Sequence, residues 1–447
     1  MTGREVAGTI AVLLAMALVV LDAGITNVAL PTISAALHVS PATIVLVTSS
    51  YQLALLMALL PAAHVAGRYG SRRLFVLGVS IFTAASLAAA LASSFPALVV
   101  ARFVQGIGGA AVMALGIPLL RSVLGRDRLG AAIGWNALNV AICAAAAPAI
   151  GAFVLAAASW PALFLLNLPV GMLAFAAASA LPADSGRGTR ADPRSIVFHA
   201  AAAALLFLAL ENLVAIPFAA ALLAFAGAAC LGFLVRRNRF RAAPLLPLDL
   251  MGDRSLRLAV SASMLCFVAQ SAGLLALPFY LQNTLRQNAV VTGQVLACWP
   301  LTVALTSRLA AKLAERVSTA TLCASGTLIL SAALLAIAAL QPGPVVLAFY
   351  ATVCGAGFGL FQIPNNRNLF LLAPEDRGEA AGGIQGTARL TGQTAGGVIV
   401  SLTFTLSPPI GTLPCIFFLA ALFSLAAALF SLRQLSHAPR GPALCDA

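Results

Sequence analysis

IAVLLAMALVVLDAGITNVALP, residues 10–31, decides how this chain is read. The run is long enough to cross a bilayer, and its single charge is Asp22. A helix needs about 20 apolar residues to span the hydrocarbon core. An ionised carboxylate held at that depth costs several kcal/mol, roughly 2.5–3.5 on insertion scales. Such a residue handles a proton, an ion or a charged substrate, or else it serves as the structural partner of a buried arginine. The two readings overlap, because a carboxylate paired with an arginine can still titrate.

Stretches of this length recur from end to end. The chain is 61% hydrophobic and 9% charged, against roughly 25% charged in soluble globular proteins. Spans are expected near 9–30, 44–66, 74–94, 97–120, 131–157, 161–181, 195–211, 214–235, 257–281, 291–311, 319–340, 344–365, 380–405 and 412–432. The lead MTGREVAG is short, and the first apolar run is too long for a signal-peptide core and lacks a small-residue cleavage site, so it reads as a retained span. The expectation is a polytopic, all-α integral membrane protein.

A net charge of +13 would suggest nucleic acid in a soluble protein. Here the positions of the charges argue against it. Fourteen spans put both ends on one side. The loops of that side carry Arg68, Arg72, Arg73, Arg126, Arg128, Arg187, Arg190 and Arg194. Arg236, Arg237, Arg239, Arg241, Arg254, Arg257, Lys312, Arg316, Arg367 and Arg377 follow on the same side, while the opposite loops offer Arg286. Positive loops stay in the cytoplasm. This predicts a multi-pass protein of the plasma (inner) membrane with cytoplasmic termini, its basic loops facing anionic lipid headgroups.

The chain repeats itself weakly at an offset near 249 residues. DRLGAAIG (127–134) returns as DRGEAAGG (376–383), and Gly106 and Gly108 match Gly355 and Gly357. Arg68 precedes Arg316 by 248 residues, and Leu30-Pro31 recurs as Leu277-Pro278. Matches in near-constant register suggest two related six-helix halves with room for two helices between them. The expected division is an N-terminal bundle over 1–181, a linker over 182–194, a two-helix insert over 195–235 and a second linker over 236–256. A C-terminal bundle over 257–432 and a tail over 433–447 complete it. Parallel halves of this kind build one class of secondary transporter, with the binding site near the midplane where they meet.

Four stretches resemble the major facilitator superfamily, specifically its fourteen-helix drug:proton antiporter branch. LDAGITNVALP (21–31) is similar to the family's LDxTIVNVALP, and RFVQGIGGAA (102–111) to RxxQGxGAA. SWPALFLLNLPVG (159–171) is similar to WRWIFLINLPVG, and PLLPLDL (244–250) to the run before the ninth helix. Two patterns depart. AHVAGRYGSRR (63–73) has Gly67 where the family's loop carries an aspartate implied to help lock the cytoplasmic side, although Arg68, Gly70 and Arg72 of the motif remain. CAAAAPAIGA (143–152) keeps Pro148 and Gly151 of the antiporter pattern but replaces other glycines with alanine. The resemblance implies two pseudo-symmetric six-helix bundles plus two extra helices.

Arg102 lies within the fourth span and needs an anionic or hydrogen-bonding partner there. The resemblance places its helix beside that of Asp22. Burial raises an aspartate's pKa and a nearby arginine lowers it. Separating the two would change proton affinity, at about 1.36 kcal/mol per pKa unit. A static salt bridge is the alternative. Gly106, Gly108 and Gly109 let backbones approach closely, and Pro148 and Gly151 suit a bent fifth helix. Polar and aromatic residues within spans that would line a substrate cavity are Tyr51, Gln52, Gln105, Asn136, Asn139, Gln270, Trp299 and Asn365, joined by Arg389 between Gln385 and Gln393. Each also reads as a helix–helix contact. Asn167 reads as structural and Glu211 as interfacial.

The only lysine, Lys312, lies in RLAAKLAE, so no phosphate-binding loop for an ATP-driven pump is present. The eight cysteines form no Cys-x-x-Cys pair and the four histidines no metal-ligand spacing. Neither a cofactor, a metal nor an enzyme activity is expected. The leading expectation is a proton-coupled exporter of amphipathic drugs or toxic organic compounds, working by alternating access. A dedicated exporter or importer of one metabolite is the alternative. The expected partners are the bilayer, protons and small amphipathic substrates; the sequence is silent on oligomeric state.

Overall fold

The computed structural model describes residues 2–125, 128–183, 192–238, 244–246, 249–373, 377–406 and 411–435. Arg126, Asp127, Arg187, Arg190, Arg239, Arg241, Pro247, Leu248, Asp376 and Cys445, named above, lie outside the described residues, as do most of the 182–194 linker and the tail. The described residues form fourteen long helices and no strand. The first six are α1 (Gly3–Ala36), α2 (Pro41–Tyr69), α3 (Ser71–Ala90), α4 (Phe95–Leu124), α5 (Leu129–Ala157) and α6 (Pro161–Ala180). The inserted pair is α7 (Pro193–Glu211) and α8 (Pro217–Asn238). The last six are α9 (Arg254–Thr284), α10 (Ala289–Leu313), α11 (Thr319–Leu340), α12 (Pro344–Leu372), α13 (Gly378–Leu406) and α14 (Thr412–Leu435).

Thirteen helices are long and apolar enough to cross a membrane. The remaining one, α13, is diluted by Gln385, Thr387, Arg389, Thr391, Gln393 and Thr394. Several helices outrun the apolar stretches that announce them, because hydropathy marks only the hydrocarbon layer. In α1 the helix starts at Gly3, where the Thr2 hydroxyl accepts from the Glu5 amide at 3.2 Å and the Glu5 carboxylate accepts from the Thr2 amide at 2.9 Å. That reciprocal cap satisfies two otherwise free donors.

The two bundles are built alike. In the first, α4 packs on α2 and α3, while α1 packs on α5 and α6; in the second, α12 packs on α10 and α11, while α9 packs on α13 and α14. Glycines show why the repeat is there. A Cβ at Gly108 would sit 2.6 Å from Gly78 O and 2.6 Å from Phe82 N, and one at Gly357 would sit 2.6 Å from Gly326 O and 2.7 Å from Leu330 N. Gly106 likewise meets the Tyr51 carbonyl and Gly355 the Trp299 carbonyl. The same backbone contacts, α3 on α4 and α11 on α12, are thus made at equivalent positions. Overpacking of such contacts costs about 1–3 kcal/mol and at times more. Gly108→Val and Gly357→Val are therefore expected to lower the melting temperature of the purified protein by similar amounts. Gly232→Val, with nothing within 4 Å of its Cβ, should leave it unchanged. Wild-type melting of either buried variant would contradict this packing.

The bundles meet along α5–α10 and α2–α13, and α7 of the inserted pair lies against α2 and α13. One side of the molecule carries both described chain ends (the terminal side). On the far side, a continuous apolar cluster joins Ile25–Ile33, Ala147, Ala152 and Phe164 of the first bundle to Leu275–Leu281, Val295 and Leu296 of the second. Gln282 closes this side further, its amide donating to Val28 O at 3.0 Å and its carbonyl accepting from the Thr32 hydroxyl at 3.3 Å. Toward the terminal side the apolar clusters are separate, one around Phe75 and Leu119 of the first bundle, joined by Leu390 of α13, and one around Leu256 and Leu369 of the second.

On the terminal side Arg377, at the start of α13, pairs with Asp249 in the linker before α9. The Arg377 hydrogen bond holds the Asp249 carboxyl below its ordinary pKa, against a smaller desolvation effect. A depressed carboxylate pKa contributes stability that is present above the unfolded value and lost as pH falls through the folded one. Melting of wild type and Asp249→Asn should therefore differ by a constant amount from pH 7 to about 4 and converge below it. A difference that grows on acidification would contradict the ion pair.

Candidate functional site

Between the two apolar clusters of the first bundle lies a closed polar cluster. Asp22 projects from the middle of α1 and is 2% exposed; Arg102 and Gln105, one turn apart on α4, are fully buried. Arg102 Nη1 donates to Asp22 Oδ2 at 2.5 Å and to Gln105 Oε1 at 2.6 Å, and Arg102 Nε donates to Val47 O of α2 at 3.3 Å. The other carboxylate oxygen, Asp22 Oδ1, accepts from Gln105 Nε2 at 2.9 Å and from Asn167 Nδ2 at 2.7 Å. Ser86 Oγ of α3 accepts from the same two amides, at 2.8 Å and 3.3 Å. The guanidinium is sandwiched by aromatic faces, its Cζ 4.4 Å from the Tyr51 ring centre and 5.6 Å from that of Phe164. Five helices supply this network, and both oxygens of the carboxylate face a donor.

Buried ion pairs are weak contributors to stability, because desolvating both charges offsets their attraction. The second bundle makes that argument concrete. At the repeat offset of 247–249 residues, Asp22, Ser86, Arg102 and Gln105 correspond to Ala269, Leu334, Ala351 and Cys354, each fully buried. The same helix packing is thus achieved without a charge. The polar cluster of the first bundle is not something the fold requires.

The sequence-derived site residues fall into separate groups. Asp22 and Arg102 are brought together as expected. Gln105, expected to face substrate, is instead fully enclosed as a ligand of Asp22. Asn139 braces α5 to α1, donating to Leu13 O at 2.9 Å. Tyr51 and Gln52 on α2, Asn136 on α5, Gln270 on α9, Trp299 on α10, Asn365 on α12 and Arg389 on α13 each bury a polar side-chain atom that finds no partner among the described residues. These helices belong to both bundles, and polar atoms left so are available to a ligand.

Arg68, Gly70 and Arg72 sit apart, at the turn between α2 and α3. Gly70 takes a φ of +95°, which favours glycine, Arg68 stacks on Tyr69, and Arg72 donates to Ser179 O of α6 at 3.1 Å. Pro148 and Gly151 lie where α5 meets its neighbours: Gly151 approaches Ile25 of α1, and a Cβ at Gly293 of α10 would sit 2.6 Å from Pro148 O. Gly106 touches backbone of α2. Glu211, at the far end of α7, accepts from the Ser401 hydroxyl of α13 at 3.1 Å.

Asn167 and Ser86 were missed as site residues. Asn167 had a signal, being an amide stranded in the apolar run LFLLNLPVG, where it needs a partner. Ser86 had none, since a serine can satisfy itself on its own helix, as its bond to Phe82 O at 2.8 Å also does.

Two pseudo-symmetric bundles of spanning helices, with unpaired polar atoms buried in both, are the architecture of one class of transporter. The chain belongs to the Major Facilitator Superfamily, whose family model matches residues 12–400. It is 36% identical over 433 residues to the uncharacterized transporter YebQ of Escherichia coli strain K12, covering 94% of each chain. It is 30% identical to the tetracenomycin C resistance and export protein of Streptomyces glaucescens, over 90% of this chain and 76% of that one. A crystal structure of a POT family transporter in complex with 5-aminolevulinic acid shares the fold, with a TM-score of 0.74 at 14% identity over 96% of both chains.

Proposed function

We propose that this transporter exports amphipathic small molecules in exchange for protons, with Asp22 as the group that carries the proton. The observation that carries this reading is the asymmetry of the bundles: a complete ion-pair network on one side, apolar packing at the equivalent positions on the other. A charge the fold does not need is retained for work. Protonation of Asp22 removes the attraction that holds Arg102, leaving the guanidinium to Val47 O, Gln105 and the two aromatic rings. Because Asp22, Arg102, Ser86 and Asn167 come from four helices, a change at the carboxylate bears on the packing of the whole first bundle. Tilting of that bundle against the second then exposes the site to each side in turn.

The apolar seal on the far side supports a state closed there. The concentration of arginines in the terminal-side loops, against Arg286 opposite, supports a cytoplasmic terminal side in the plasma membrane. The similarity to an export protein supports the outward direction of transport. In inverted vesicles with an imposed pH gradient, uptake of an amphipathic dye is expected to depend on the gradient and to stop on addition of an uncoupler. Uptake against a concentration gradient that ignores the uncoupler would contradict proton exchange.

A further inference from the structure

One cation at depth, Arg389, has no counter-ion bound to it among the described residues, and that names a class of cargo. Two carboxylates among the described side chains are withdrawn from solvent in the spanning helices, Asp22 and Glu211. Asp22 is 2% exposed and held by Arg102, Gln105 and Asn167. An organic cation would have to break those bonds to reach it. Glu211 is held by Ser401, 12 residues along α13 from Arg389, which is roughly 18 Å of helix. Neither answers Arg389.

Arg389 sits 11 residues into α13, about 16 Å from its start, and its Nε is buried without a partner. Its side chain makes no ion pair or hydrogen bond among the described residues. Neighbours on its own helix fix the direction it faces. Leu390 and Gly397 turn toward α2, Gly392 and Gly396 pack on α9, and Gln385 binds Asn366 of α12 at 3.1 Å. Residues 385, 389 and 393 are spaced to share one helix face, so the guanidinium lies among α2, α9 and α12, between the bundles. On α2, Tyr51 carries a second orphaned polar atom. The Tyr51 ring is already stacked on Arg102, while its hydroxyl is buried and unpartnered. An unopposed, buried guanidinium is a donor set for an acid, and guanidinium–carboxylate pairs are the strong, directional form of hydrogen bond.

We infer that the cargo carries a carboxylate or comparable anionic group, bound by Arg389, with its apolar body in the interface between the bundles. This rests on the reading of the interface as the transport site, and it does not depend on proton coupling.

The test is equilibrium dialysis of the full-length purified protein in detergent at pH 7 against three molecules of one shape: 1-naphthoate, 1-naphthamide and 1-naphthylmethylammonium. Wild type is expected to bind the acid at least about tenfold more tightly than either other compound, the smallest ratio a charge-assisted pair supplies. Arg389→Gln should abolish that preference, and Arg389→Lys should retain part of it. Equal binding of all three by wild type, tighter binding of the ammonium compound, binding of none, or a uniform loss in Arg389→Gln would each overturn the assignment. If acid binding depends on Arg389 but gradient-driven transport is absent, exchange for protons fails and this site stands. If gradient-driven transport is present without acid preference, the reverse holds.

Discussion

Asp22→Asn is expected to insert and fold but to lose the ability to concentrate cargo. Asparagine keeps the size of the side chain and one carbonyl acceptor, so one of the bonds from Gln105 or Asn167 can persist. Arg102 keeps Val47 O, Gln105 and two aromatic faces. The stability loss is predicted at about 1–3 kcal/mol, the cost of one weakened buried bond. Coupling is another matter. Each pH unit of gradient stores about 1.36 kcal/mol per proton. For one proton per cargo molecule, a gradient of about two units sustains roughly a hundredfold concentration ratio in wild-type proteoliposomes. In Asp22→Asn that ratio should fall to about one, while gradient-independent exchange of labelled for unlabelled cargo continues. Retained accumulation would remove Asp22 from the coupling step; loss of both activities would make it structural.

Arg102→Met should be the more damaging change to the folded state. Methionine approximates the stem of arginine, so the packing loss is small, but Asp22 Oδ2 is left without its donor in a fully enclosed site. Breaking one half of a buried pair typically costs about 3–5 kcal/mol. A steep fall in melting temperature and in yield is expected. The double variant Asp22→Asn/Arg102→Met should recover most of that stability, because the buried charge is gone and the second bundle already shows the site packing apolar. It should remain unable to concentrate cargo. A double variant no more stable than Arg102→Met would mean that the guanidinium acts through its volume and its aromatic contacts, with the ion pair incidental.

The fold could be read from the chain because the bilayer makes its demands locally. Hydrophobic runs of spanning length, arginines sorted to alternate loops and glycines at a fixed offset each follow from one-dimensional spacing. Even α13, the least apolar helix, was legible, since its flanking loops alternate correctly. The pairing of Asp22 with Arg102 was legible too, because a buried arginine needs an anionic partner and the family resemblance places its helix beside that of Asp22. What spacing does not give is which way a residue faces. Gln105 lies one turn from Arg102 and looked equally suited to a cavity, yet it turns inward to the carboxylate. Asn167 looked structural, yet it is the second amide on Asp22 Oδ1. The helix break at Leu166 follows from Pro169, which cannot bond back to the Leu165 carbonyl, but the break does not say which way Asn167 then faces. With Gly67 in place of the loop aspartate, Arg68 stacks on Tyr69 and Arg72 donates to the Ser179 carbonyl, both within the first bundle.

The protonation of one side chain is the point on which the transport cycle turns, and infrared difference spectroscopy observes it directly. Reconstituted protein is cycled between neutral and acidic buffer, with and without cargo, and the stretch of a protonated carboxyl group is followed. A band that rises on acidification, shifts when cargo binds and vanishes in Asp22→Asn is the predicted result. An identical spectrum in wild type and Asp22→Asn throughout the cycle would show the carboxylate permanently ionised against Arg102, and the proton would have to travel elsewhere.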